Sequence, residues 1–497
     1  MKRKFVKVIS CLLVAALVLS LLNGCYKNSA IDNENNNSDL NNEDYNSVTE
    51  VVEEKPIYHK TEVPSGYIGI YTVDDLDYIK SSPQYNYILM NDLNFDDYNS
   101  EWDEYDLKGI FDGNNYTISN YNSKHPFLRD VGAIYCLTLN NASVNGLTYD
   151  ATGGYLTFYS SLLCRKIIGV NDTDTNMCNC TVNGNISITW DGKNKYLDDI
   201  KLPNYENRGI LIGGLCSETK VDISNCSFNG TIDVNYTNSK RKLGFSIGGI
   251  IATLSDSSIF FCNTSGKMNM SSGNDHCKFN VGGITGKWGT ESSIQSCGNG
   301  AEISGNTRAS SYGGIVGGCY QIGSGGYVTK SFNHGNITST SKWNQEEEYT
   351  ITSLGGIVGS GCCNIENCYN SADIIGGENA GGIIGETAYS NISKVYNIGN
   401  INCNKYKRYN MDEEKVFHKG GIIGVADDKN YGSLNYCYYT NDDINAVYDN
   451  PKFPYVQHIS KTDSKNKDLY QGFNFDDEWE MGDNDYPYPK LTNVDGQ

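Results

Sequence analysis

The sequence predicts an all-β solenoid, a parallel β-helix with a cap at its N-terminal end and a closing segment at the other. Three observations lead there. A glycine-pair motif recurs at short intervals. An apolar–Cys–apolar element follows most copies. The units between carry no helix signal, only short β-branched runs broken by Gly, Asn and Ser.

The glycine pairs are Gly213-Gly214, Gly248-Gly249, Gly282-Gly283, Gly313-Gly314, Gly355-Gly356, Gly381-Gly382 and Gly420-Gly421. A third glycine completes five of them, at Gly286, Gly317, Gly359, Gly385 and Gly424, while Ser217 and Ala252 replace it in the first two. That position therefore wants a small side chain. The pairs are expected where the backbone turns with positive φ or where neighbouring coils approach closely.

The second element supplies a candidate core ladder of Cys180, Cys226, Cys262, Cys297, Ser331, Cys368, Val395 and Cys437. Ile223 and Ile232 flank Cys226, Ile294 and Ile303 flank Cys297, and Ile365 and Ile374 flank Cys368. Cys interchanging with Ser and Val describes a small, half-apolar residue in a tight interior position. The three-residue step from Ile to Cys breaks strict alternation and predicts a bend. Three short strands per turn, stacked about 4.8 Å apart, account for the pattern. Longer copies, such as 313–355, should project loops from the rim.

Residues 64–130 form the expected cap and first strands. Thr72 with Asp75 reads as a capping box opening a short helix through Leu76 and Ile79. Tyr87–Leu93 reads as strand, and Asp112-Gly113-Asn114 as a hairpin-type turn. The repeats occupy 131–450. The closing segment 451–497 carries Phe473, Phe475, Trp479, Pro487, Pro489 and Leu491, which would fold back over the last coil.

The Gly-Gly-Ile-Val-Gly copies, the run Phe111-Asp112-Gly113-Asn114-Asn115-Tyr116-Thr117-Ile118 and the closing Trp479…Tyr488-Pro489…Leu491 resemble bacterial surface proteins with GLUG repeats. The resemblance covers about residues 66–491 and implies a right-handed parallel β-helix on the cell surface. The same repeats occur in the non-catalytic part of bacterial immunoglobulin A1 peptidases and in adhesin-like proteins. The resemblance implies no catalytic residues.

The first residues point to export. Lys2, Arg3, Lys4 and Lys7 precede an apolar run from Val8 to Leu22, followed by Leu22-Asn23-Gly24-Cys25. This resembles a bacterial lipobox, which implies a signal peptide over 1–24, cleavage after Gly24 and a lipid on Cys25. Residues 25–63 are rich in Asn and acid, with too little apolar surface to order themselves. They are expected to be a tether of roughly 35 Å as a coil. The expected location is the membrane, lipid-anchored and facing outward.

The formal charge of −20 argues against nucleic acid and against charge-driven binding to anionic lipid. The six histidines, His59, His125, His276, His334, His418 and His458, include no pair four apart, which excludes a His-Glu-x-x-His zinc site. Acidic runs at Asp427-Asp428, Asp442-Asp443 and Asp476-Asp477-Glu478 read as solvated loops, and so do Lys240-Arg241-Lys242 and Lys405–Arg408. Those basic runs are also where an anionic glycan would sit. Asn171–Asp174 and Asp112–Asn114 offer oxygen ligands but match no calcium loop. The sequence thus leads to no catalytic residue, metal or cofactor. It describes a non-enzymatic surface β-helix whose partners are the membrane, through the lipid, and a glycan or surface protein. A polysaccharide lyase or glycoside hydrolase of the same fold, and a structural envelope spacer, are the rival readings.

Overall fold

The central coils have four strands, one more than the sequence pattern suggests, and the fourth divides in two in the coils that follow. In one complete turn these are Gly209–Gly213, Cys216–Thr219, Asp222–Ser224 and Ser227–Tyr236. The next coil repeats them as Gly244–Gly248, Ile251–Leu254, Ser258–Phe260 and Asn263–Ser272. The extra strand arises because the glycine pair is itself a corner between two strands. The computed structural model describes residues 58–497 except 99, 152–155, 171–174, 194–208, 239–241, 274–276, 290, 320–325, 342–350, 404, 407–414, 417, 427–431 and 449–454. All of them lie in one compact unit, Ile57–Gln497.

Equivalent strands pair in parallel and in register. One wall is a nine-stranded sheet that contains the strands entering each glycine pair, and the other walls merge into a single 34-stranded sheet. Register turns the sequence repeats into columns. One interior column is Ile186, Ile232, Met268, Ile303, Ile337, Ile374 and Ile401. A second is Ile223, Ile259, Ile294, Val328, Ile365, Ile392 and Leu434. All are buried, and each side chain contributes roughly 1.5–3 kcal/mol by leaving water.

The glycine pairs resolve to close approach; none of the fourteen has positive φ. A Cβ on the first glycine of each pair would lie 1.8–2.0 Å from the carbonyl oxygen three residues on. In the first six copies, a Cβ on the second would lie 2.0–2.3 Å from the carbonyl oxygen of the equivalent glycine in the next coil. In the last copy, Gly421 faces the Tyr439 ring instead. The positive φ angles fall at the other corner. Asn179, Asn225, Phe261, Ser296, Lys330, Asn367, Lys394 and Tyr436, each just before the cysteine-ladder residue, have φ of 46–56°. This is the bend in the Ile-x-x-Cys step. A left-handed residue there costs each coil about 1–2 kcal/mol, and the ladders on both sides hold it.

The first coils differ from expectation at Asp112–Asn114, which makes no hairpin. Tyr105–Asp112 pairs in parallel with Asn86–Leu89 and Leu128–Tyr135, while Thr117–Ser119 pairs with Leu93–Asn94 and Thr138–Val144. Asn114 and Asn115 are both left-handed and turn the chain from one wall to the next. In the helix ahead of them, the Asp75 carboxylate accepts from the Tyr71 and Thr72 amides. Residues His59 and Lys60, read as tether, are held to this corner. His59 stacks on Tyr116 at 4.1 Å, and the Lys60 ammonium lies 2.6 Å from Asp112.

The closing segment also departs from expectation. Val456–His458 stacks on the last coil beside Cys437–Tyr439, but the rest of the segment runs back along the flank, against a column of Phe332, Tyr369, Tyr396 and Tyr438. Tyr470, Phe473, Trp479, Leu491 and Val494 bury themselves there in a second core. The Trp479 indole donates to Asn367 at 3.0 Å, Tyr438 donates to the Gln471 carbonyl at 3.0 Å, and Tyr369 donates to Gln497 at 3.1 Å. The aromatic column sets this path, because the tail's rings bury themselves against it.

Replacing Gly356 by Ala is expected to destabilise the protein by the upper part of about 1–3 kcal/mol, because the new methyl meets a carbonyl and the Asn370 side chain. A urea unfolding midpoint measures it.

Candidate binding face

Gly24, Cys25, Asn171–Asp174, Lys240-Arg241 and Asp427-Asp428 lie outside the described residues, as do the side chains of Lys405–Arg408. The cysteine-ladder residues all lie buried in the interior. They are bonded upward: the Cys226 amide donates to the Cys262 sulfur, the Cys262 amide to the Cys297 sulfur, and the Cys297 amide to the Ser331 hydroxyl. Burial pushes the Cys368 and Cys437 thiols up to about 12. Hydrogen bonding to Cys226, then burial, holds Cys180 well above its usual range. These groups stay protonated at neutral pH and offer neither a nucleophile nor a thiolate ligand.

All fifteen described cysteines are free thiols, including the off-ladder Cys178, Cys277, Cys319, Cys362, Cys363 and Cys403. Cys164 and Cys216 form a further stacked pair, in register on neighbouring strands. Their column continues through Ile251, Thr285 and Val316, which makes Cys216 of Leu215-Cys216-Ser217 the counterpart of the β-branched residue in Gly-Gly-Ile-Val-Gly.

Beneath the second glycines runs an asparagine ladder. Asn299 donates to Asn333, Asn333 to Asn370 and Asn370 to Asn397, each at 2.7 Å, and Asn397 donates to Asn441 at 2.8 Å. The second amide hydrogen of each goes to the carbonyl two residues on, at Ala301, Gly335, Ala372 and Gly399. The ladder is sealed from solvent over Asn299–Asn397, so it orders the corner and touches no ligand. Its signal was in the sequence, as an Asn two residues past the ladder position in Cys297, Ser331, Cys368 and Val395.

The exposed counterpart is the outer side of the long strands. Here the alternation of Ser227–Tyr236 and Asn263–Ser272 sends polar residues outward. Asn269 donates to the Asp233 carboxylate and Ser304 to Asn269, both at 2.7 Å, while Ser271 donates to Asn235 at 2.9 Å. A shallow depression of about 420 Å³ lies over these rows, bounded by Asn306 and Thr340.

Charge concentrates elsewhere, on the first coils. Arg129 forks onto Asp106, and Arg165 onto Asp130 with both contacts at 2.8 Å. Hydrogen bonding to Arg129 lowers Asp106. Glu104 stands beside both pairs with one buried carboxylate oxygen unpartnered, and burial raises it to about 7. Among the described residues, no group of three His, Cys, Asp or Glu is placed to hold a metal, and no helix is long and apolar enough to cross a membrane.

No protein-family model matches the chain, and no curated protein sequence does. Solved structures do. The crystal structure of a putative immunoglobulin A1 protease from Bacteroides ovatus is 15% identical with a TM-score of 0.35, covering 85% of this chain and 91% of that one. A structure titled IgA1 Protease is 15% identical with a TM-score of 0.38, over 70% of this chain and 23% of that one. These protease titles correct the expectation that the chain is not an enzyme, and that expectation is withdrawn.

Two outcomes follow from the ladders and the charged cluster. Asn333→Ala orphans its neighbours' amide groups and should cost about 1–3 kcal/mol for each buried group left unpaired, read from a denaturant melt. Glu104 is raised on folding, so its stabilising contribution is full below the ordinary carboxylate range and is lost as pH rises through about 7. Glu104→Gln should therefore raise the melting temperature relative to wild type at pH 8, with the difference vanishing near pH 4.

Proposed function

We propose that the chain is a lipid-anchored β-helix of GLUG type, displayed at a bacterial surface, that binds a polymer or partner along its long-strand wall. The observation that carries the binding role is the exposed wall of side-chain rows, hydrogen-bonded from coil to coil and open to solvent at Asp233, Asn235 and Asn269. A solenoid holds such rows at fixed spacing, which orders the donors and acceptors before any partner arrives. The N-terminal sequence supports the anchoring. The basic start, the apolar run and Cys25 supply the lipid, and the Asn-rich stretch after it sets the wall away from the membrane.

A second reading, cleavage of a glycan, has one observation in its favour. Glu104 and Asp106 are pushed in opposite directions by their surroundings, as an acid and a carboxylate base require. A reducing-sugar assay with wild type and Glu104→Gln decides it, since this reading requires turnover in the first and loss in the second.

Cys25→Ser in the full chain should abolish incorporation of labelled palmitate and move the protein from the membrane fraction to the soluble one. External protease should remove the wild-type protein from intact cells. A wild-type protein that takes up no label, or that survives external protease, overturns the surface reading.

A further inference from the structure

We propose that the open part of the long-strand wall is a site for an extended, uncharged polysaccharide, recognised through Asp233, Asn235, Asn269, Ser271, Ser304 and Thr340. This rests on the reading of the chain as a surface binding protein and names its ligand class.

The wall itself separates two kinds of surface. In the later coils its outward column is Phe332, Tyr369, Tyr396 and Tyr438, and the chain's own tail covers it. In the earlier coils the same column becomes Gly298, Asn263, Ser227 and Thr181. Gly496 of the closing segment reaches this change: a Cβ on it would sit 3.5 Å from the Asn263 side-chain oxygen. The row beneath the depression, Ser187, Asp233, Asn269 and Ser304, lies six residues further along the strand and is polar throughout, so it offers no apolar column for a protein segment to bury and its occupant is held by hydrogen bonds.

The rows are built for that. Asn269 uses one amide hydrogen on Asp233 and its oxygen on Ser304, while Asn235 receives the Ser271 hydroxyl and keeps its amide donors. Donors and acceptors therefore alternate along the wall, which suits sugar hydroxyls because each both gives and takes a hydrogen bond. Charge selects among sugars. The depression contains the Asp233 carboxylate and no cationic residue, and the chain carries −20 overall, so anionic polymers are repelled. The depression crosses four coils, about 14 Å at the usual strand spacing, a length along the solenoid axis that an extended polymer chain can follow.

The test uses the full chain in detergent, with co-sedimentation or affinity electrophoresis against cellulose, β-1,3-glucan and galactomannan, and against polygalacturonate and heparin. At least one neutral polymer should be retained and neither anionic one. Asn235→Ala combined with Ser271→Ala should weaken retention about tenfold, the effect of about 1.4 kcal/mol, with an unchanged melting curve. Asn269→Asp, which sets a second carboxylate beside Asp233, should weaken it further. Retention of no neutral polymer, retention unaffected by both variants, or retention of anionic polymers alone would overturn the proposal. Palmitate labelling and surface protease sensitivity read the underlying surface reading separately, so each can fail without the other.

Discussion

In the stacked walls of the described coils, a residue lives with its own counterpart one strand above and one strand below. Parallel, in-register stacking fixes that neighbour at about 4.8 Å, and the rest of the structure is a set of answers to it. Isoleucine over isoleucine packs. Asparagine over asparagine works because the amide both gives and receives along the column, so Asn299 to Asn397 form one continuous chain of bonds. Two backbones turning at the same corner fit only without Cβ atoms, which is why the glycines come in pairs.

The same constraint explains why the interior holds so many cysteines without using them chemically. A column position must be small and tolerate its copy. Cys297, Ser331 and Cys368 add a weak polar contact to the amide beside them, while Val395 fills the same space without one. Burial holds the thiols of Cys226, Cys262, Cys368 and Cys437 above their usual range, and the polar wall and the charged pairs of the first coils lie on the outside.

The fold was legible because columns are written as repeats: the glycine pairs and the Ile-x-x-Cys step are the corners and ladders themselves. What was missed lies where the residue type varies along a column or where contacts join distant segments. Val182, Phe228, Thr264 and Asn299 occupy one column, so the asparagine ladder begins only midway and looks like loop composition in the sequence. Asp112–Asn114 has a hairpin's turn residues, yet a solenoid uses them to pass from wall to wall. The outward wall was not singled out at all, because alternating Asn, Ser and Thr reads as ordinary exposed strand until register aligns it. The charged group on the first coils joins Glu104, Asp106, Arg129 and Arg165 across strands far apart in the chain, and no local pattern marks it.

The tail introduces order in time. A solenoid is made of neighbour contacts, so coils can wind as the chain emerges and an unfinished array is free to fray from its open end. The tail's binding surface, from Phe332 to Tyr438, exists only once those coils have been wound in correct register. Its docking depends on the alignment of coils that lie well before it in the chain. A slipped coil would shift one ring out of the column and leave Trp479 without Asn367. The closing segment thus buries itself fully only on a column in correct register.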